Sequence, residues 1–209
     1  MAHAFRNRPD GTLACRLDGE EKAIIAQVAQ ETADLIRADL GIGSEHGAIR
    51  RAADSEDPLR RLEAEFAGRS AREPSDSAVK RLFPAASSDP DLAEEYRRLG
   101  QQDLADTKLA DLQTVISLID ATGPEHSEVV VDEEEAIVLL RALNDVRIVL
   151  ADRLGLERDG DFDTVRMLQQ IGERVEEASA PDDEHAGADI VIAVYELLSW
   201  LQESLLRVL

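Results

Sequence analysis

The chain has 209 residues, is 44% hydrophobic and 32% charged, has 3% aromatics and carries a net charge of −21. Its core must therefore come from Leu, Ile, Val and Ala, which favours helices over an aromatic-rich β-sandwich, and its anionic field disfavours broad binding to phosphate backbones. No apolar run approaches the ~20 residues of a bilayer crossing, "MAHAFRNRPDGT" holds no apolar signal stretch, and a lone Cys15 permits no disulfide within the chain, so the cytoplasm is the expected compartment.

Residues 4–17 predict a short hairpin. "AFRNR" and "TLACRL" flank "PDG", where Pro presets φ and Gly accepts a positive one. Asp18 follows as a helix N-cap, with Glu21 three residues on completing a capping box. Ile24, Ile25, Val28, Leu35 and Ile36 give that helix an apolar stripe, and Gly41 is placed to end it near Leu40.

Residues 43–89 are irregular. "EDPLRRLEAEFAG" predicts a short helix with Asp57 as cap and Pro58 in the first turn. "RSAREPSDS" is polar and is expected to be mobile, whereas "VKRLFP" should dock Leu82 and Phe83 on the core. A long helix then starts at Asp89-Pro90 and reaches about Ala121. Leu92, Tyr96, Leu99, Leu109, Leu112, Ile116 and Ile119 are its expected apolar face, and Gly100 is expected to bend or split it.

"EVVVDEEE" repeats the earlier grammar. Val129–Val131 predict a strand, Asp132 and Glu135 a second capping box, and Gly155 the stop of a helix reaching Leu154. Residues 14–42 and 128–156 align without gaps, with Asp18, Glu20, Glu21, Leu40 and Gly41 meeting identical residues. Two strands pairing in one small sheet beneath two helices is the simplest arrangement, and a duplication is one reading of it. The second helix is apolar nearly all round, which predicts a central position. "RALNDVR" interrupts it with Arg141, Asn144, Asp145 and Arg147; Arg141 and Asp145 stand at i, i+4 spacing. These polar groups form an internal network or face a partner. "GDFDTVRMLQQIGERVEEA" predicts a further helix, "SAPDDEHAGAD" a loop, and residues 187–208 a last apolar helix around Tyr195 and Trp200, suited to a core or a subunit contact.

The expected fold is thus mainly α: one helix-rich domain over 1–209, a bundle with a small sheet made by the N-terminal hairpin and a strand near 128–131. Two pseudo-repeats, about 4–42 and 128–156, flank the irregular insertion at 43–89. Residues 1–119 carry 16 basic and 22 acidic side chains, and residues 120–209 carry 7 and 22. A small basic patch could still form locally from Arg6, Arg8 and Arg16, with Arg50, Arg51, Arg60 and Arg61 further on.

No phosphate-binding glycine loop, nucleophile elbow or HExxH motif is present. Three of four histidines, His46, His126 and His185, sit in Glu-His dipeptides of predicted loops, and no Glu-x-x-His pair suits a di-iron bundle. "DEEE" at 132–135 is explained by capping and the helix dipole. No catalytic, metal or cofactor residue is assigned. Cys15 reads as a small buried hydrophobe, or as a redox-sensitive thiol if it is exposed near Arg16 or Arg6.

"CRLDGEE", "RLFP", "DLAEEYRRLGQQDLADTKLADLQTVISLI", "EVVVDEEEAIVLLRALNDVRIVLADRLG" and "VYELLSWLQESLLRVL", in this order, resemble an actinobacterial family catalogued as a domain of unknown function and also described as AosR-type oxidative-stress regulators. The 20 Arg against 3 Lys fit that host group. The resemblance implies a cytoplasmic, helix-rich transcriptional regulator acting through a protein partner such as an extracytoplasmic-function sigma factor. It also implies a switch made of two cysteines with three residues between them; here those positions around Cys15 hold Gly11 and Gly19, so redox sensing would have to be intermolecular.

The expected function is a non-enzymatic regulatory protein-interaction module without cofactor. Its candidate partner-facing residues are Arg141, Asn144, Asp145, Arg147 and Trp200, and homodimerisation through the C-terminal helix is a second mode. An enzyme with a spatially assembled carboxylate site is the alternative, as is weak DNA binding through the N-terminal arginines.

Overall fold

A computed structural model describes residues 3–42, 71–123, 127–156 and 183–209, with His3 and residues 183–188 described by their backbone alone. The helices predicted at "EDPLRRLEAEFAG" and "GDFDTVRMLQQIGERVEEA" lie outside these residues, as do Arg50, Arg51, Arg60 and Arg61.

The described chain is mainly helical, with one antiparallel sheet of order β1-β2-β3. Strands β1 (His3–Asn7) and β2 (Leu13–Arg16) form the N-terminal hairpin. Its turn is held by Arg8 N donating to the Thr12 carbonyl at 2.8 Å, and by the Asp10 carboxylate, which accepts from both Thr12 N and Thr12 Oγ1. Gly11 supplies the positive φ, +85°, that this turn requires. Strand β3 (Glu128–Val131) pairs with β2, Leu13 opposite Val131 and Cys15 opposite Val129. The two stretches that share the strand-to-helix grammar are therefore neighbours in one sheet.

Each of these two strands leads into a capped helix. In α1 (Gly19–Leu40), Asp18 Oδ1 accepts from Glu21 N and Glu21 Oε2 accepts from Asp18 N, both at 2.9 Å. In the fourth helix, Asp132 and Glu135 do the same at 2.8 and 3.0 Å. Both boxes satisfy two amides that a helix start leaves open. Gly41, at φ +71°, closes α1 as the spacing predicts.

Between these units lie α2 (Ser77–Leu82) and α3 (Pro90–Thr122). Asp76 caps α2, whose Ala78, Val79 and Leu82 are buried together with the following Phe83, so "VKRLFP" anchors the chain as expected. The described part of "RSAREPSDS" is tied down rather than loose. The Gln101 amide donates to the Arg72 carbonyl and accepts from Arg72 N, and the Asp39 carboxylate accepts from Ser75 and Asp76. Helix α3 runs unbroken through Gly100 for 33 residues, roughly 50 Å at the helical rise. A lone glycine lowers helix propensity without removing a hydrogen bond, so it need not split the helix.

Helix α4 (Glu133–Arg153) touches all four other described helices and strand β3, and is the central element its all-round apolar surface predicts. Helix α5 (Asp183–Leu206) starts four residues earlier than periodicity suggests, within the stretch read as a loop. The sheet turns Phe5, Leu13, Cys15, Val129 and Val131 onto Ile25, Ile36, Leu112, Val115, Leu143, Leu198, Leu201 and Leu205 in one core. Among the described residues no helix is long and apolar enough to cross a membrane.

Candidate functional site

The polar residues of α4 divide between two helix interfaces. Arg141 does not pair with Asp145 along its own helix. Its guanidinium grips Asp111 of α3 through Nε and Nη2, at 2.7 and 2.8 Å. Asp145, buried, instead accepts from Lys108 Nζ at 2.7 Å. The two pairs set each carboxylate against a cation across one helix contact, which offsets the repulsion that Asp111 and Asp145 still exert on each other. Burial pushes the Asp145 carboxyl above its ordinary range, against the opposing effect of Lys108, whereas the Asp111 carboxylate raises the pKa of Arg141.

Arg147 faces α5. It donates to Ser199 Oγ at 2.9 Å and to Gln202 Oε1, and its guanidinium carbon lies 5.3 Å from the centre of the Tyr195 ring. These contacts latch α5 onto α4. Asn144 is exposed and Trp200 is 39% exposed. Arg141, Asn144, Asp145, Arg147 and Trp200 are thus not gathered on one partner-facing surface. Arg141, Asp145 and Arg147 are engaged with α3 and α5, because the buried Asp111 and Asp145 carboxylates each need a cation and find it across the α3–α4 contact, and Arg147 finds its acceptors on α5.

Cys15 is 1% exposed, on strand β2 and within the hydrophobic core. Burial, reinforced by the negative charges of Glu128 and Glu21, pushes its thiol up to about 12. The exposed, cation-stabilised thiolate that a redox role requires is not what this position supplies. Arg6, Arg8 and Arg16 do gather, at the outer face of the sheet, around one carboxylate. Arg6 bonds Glu128, and all three positive charges act to hold the Glu128 carboxyl below its ordinary range, the Arg6 hydrogen bond most strongly. Among the described residues no group of three or more His, Cys, Asp or Glu side chains is placed to hold a metal ion.

One surface was not foreseen. Leu92, Tyr96 and Leu99 of α3 are 53%, 57% and 62% exposed. They form an i, i+4, i+7 stripe on the first half of the helix, while Leu112, Val115 and Ile119 of the second half are buried. The signal was available: at ~100° per residue, Leu112 lies roughly 220° around the helix from Leu99. The seven apolar residues do not make one face. They make two, on opposite sides. Beside the stripe, an open groove of about 460 Å³ runs between α3 and the segment from Glu73 through α2 to Ala86. Phe83, Pro84, Tyr96 and Leu104 are apolar walls, Gly100 leaves bare helix backbone, and Lys80 and Arg97 stand at its margin.

No curated protein and no solved structure matches the chain. The family described as "Domain of unknown function (DUF2017)" matches residues 2–209. With all but the first residue covered, the chain belongs to that family.

Proposed function

We propose that the protein is a non-enzymatic protein-interaction module, with the Leu92–Tyr96–Leu99 stripe as its docking surface for a basic amphipathic helix of another protein. The observation that carries this is a run of three large apolar side chains, each more than half exposed, on one line of one helix. Scattered exposed leucines need no explanation, but a helical stripe is the shape that a partner helix packs against. Its surroundings are anionic. Residues 89–106 hold six carboxylates and two arginines, and Arg98 is already paired with Glu95 at 2.9 Å. A basic partner would be drawn to this half of α3, and its apolar face would cover the stripe.

The resemblance to oxidative-stress regulators supports a regulatory role and makes a sigma factor the first partner to test. A photo-crosslinking residue at position 96 should give one protein adduct in a native lysate, lost when Leu92 and Leu99 are both changed to Ala. The same residue at position 27, on the exposed side of α1, should not give it. An adduct that survives the Leu92→Ala/Leu99→Ala change, or no adduct at position 96, would defeat the reading.

A further inference from the structure

We infer that the groove between α2 and α3 is a binding site for a small apolar anion, an acyl or aryl body carrying a carboxylate or sulfonate. It adjoins the exposed stripe and shares Tyr96 with it, but opens on the side of α3 that carries Ala93, Arg97, Gly100 and Leu104, and it does not require the partner reading to hold. Its volume, about 460 Å³, lies within the range of small-molecule sites, as do its mainly apolar walls with few polar groups.

Charge supports an anion. In a chain of net −21, two cations, Lys80 of α2 and Arg97 of α3, line the same groove. Neither is in an ion pair with any described residue. Glu73 is the one carboxylate among the lining residues, leaving the margin net positive.

Gly100 adds a separate observation. It lies inside a continuous helix, where glycine costs stability relative to alanine through backbone entropy. Its backbone is not in a positive-φ conformation, and a Cβ there would meet nothing within 4 Å. Neither the backbone nor packing asks for a glycine. What its missing side chain provides is open space in the groove. A leucine at this position would project into that space.

The test is a fluorescence titration of the full chain with 8-anilinonaphthalene-1-sulfonate, competed by decanoate and by decanol. One saturable site is expected, displaced by decanoate and much less by decanol. Gly100→Leu and Arg97→Glu should each weaken it roughly tenfold or more, the loss of a packed apolar group or of a charged contact. Arg98→Glu, the same charge change one residue away and off the groove, should not. Gly100→Leu should melt no lower than the wild type, which separates a filled groove from a damaged fold. Absence of a saturable site, equal displacement by decanol, or binding untouched by both Gly100→Leu and Arg97→Glu would overturn the inference.

Discussion

Arg141 and Asp145 stand one turn apart on α4 and each turns to α3 instead of to the other, Arg141 to Asp111 and Asp145 to Lys108. This crossing fixes how the two helices sit, because both carboxylates are buried and each has a single cation from the facing helix.

Removing one member of the more buried pair should be costly. Lys108→Met takes away the cation that faces the buried Asp145 carboxyl and should destabilise the protein by about 3 kcal/mol near pH 7. Asp145 has its folded pKa raised by burial even with Lys108 present, so the folded state holds this proton more tightly than the unfolded chain. Its stability contribution grows as pH falls through the folded value and is lost as pH rises. Without Lys108 that dependence should steepen. Urea unfolding of Lys108→Met at pH 7 and at pH 4.5 should show the deficit shrinking in acid, and Lys108→Met/Asp145→Leu should recover most of it. A deficit equal at both pH values would contradict this account.

The two capping boxes make a matched pair of expectations. Asp18→Ala and Asp132→Ala should each cost about 1 kcal/mol, and Asp→Asn at either position considerably less, since an amide oxygen still accepts from the third helical N–H. Chemical denaturation of the four variants checks this. A cost near zero at Asp132 would mean that packing of α4, touched on every side, holds its first turn without the cap.

Cys15 should behave as a core residue. Its buried thiol, with a pKa near 12, should react with Ellman's reagent at pH 8 only at the rate of opening of the native state, and at once in denaturant. Cys15→Val, which fills a similar volume, should be tolerated. Cys15→Ser should cost on the order of 2 kcal/mol, because the hydroxyl enters an apolar neighbourhood. Rapid stoichiometric labelling of the native protein would restore a redox reading.

Ser204 is a buried hydroxyl that ties the two ends of the described chain. Its Oγ accepts from Phe5 N at 3.3 Å and donates to the Leu201 carbonyl at 2.9 Å. The pairing of β1 with β2 shifts register between His3 and Arg6, where the Phe5 amide turns to α5. Ser204→Ala should cost about 1–3 kcal/mol by stranding a buried N–H, and amide exchange at Phe5 should accelerate more than at Cys15. Equal acceleration at both would indicate a global effect only.

Local grammar was the readable part. Asp18 with Glu21, Asp132 with Glu135, Gly41 and the "PDG" turn each act within a few residues, so their geometry is written in adjacent positions. The pairing of β2 with β3 followed from the repeated strand-to-helix phrase. What could not be read were choices made across the fold. Arg141 had Asp145 within reach on its own helix and Asp111 on another, and only the packing of α3 on α4 decides between them. Leu92, Tyr96 and Leu99 look like core by composition. They face water because α1 and α4 cover the opposite side of α3, and the position of those helices is not encoded in the stripe itself. The groove needed α2 and α3 to be brought together before it existed.

The bond from the Phe5 amide to Ser204 spans 199 positions of sequence. During translation the first strand leaves the ribosome long before its partner hydroxyl is made. The hairpin must wait with that amide bonded to water, while β3, more than a hundred residues on, is equally absent. Closure of the sheet and seating of α5 are therefore late events in the life of the nascent chain, the slow, non-local kind of contact. A translational pause anywhere between residues 16 and 128 leaves the hydrophobic side of the hairpin waiting for its cover, and in that interval a chaperone has its clearest reason to bind.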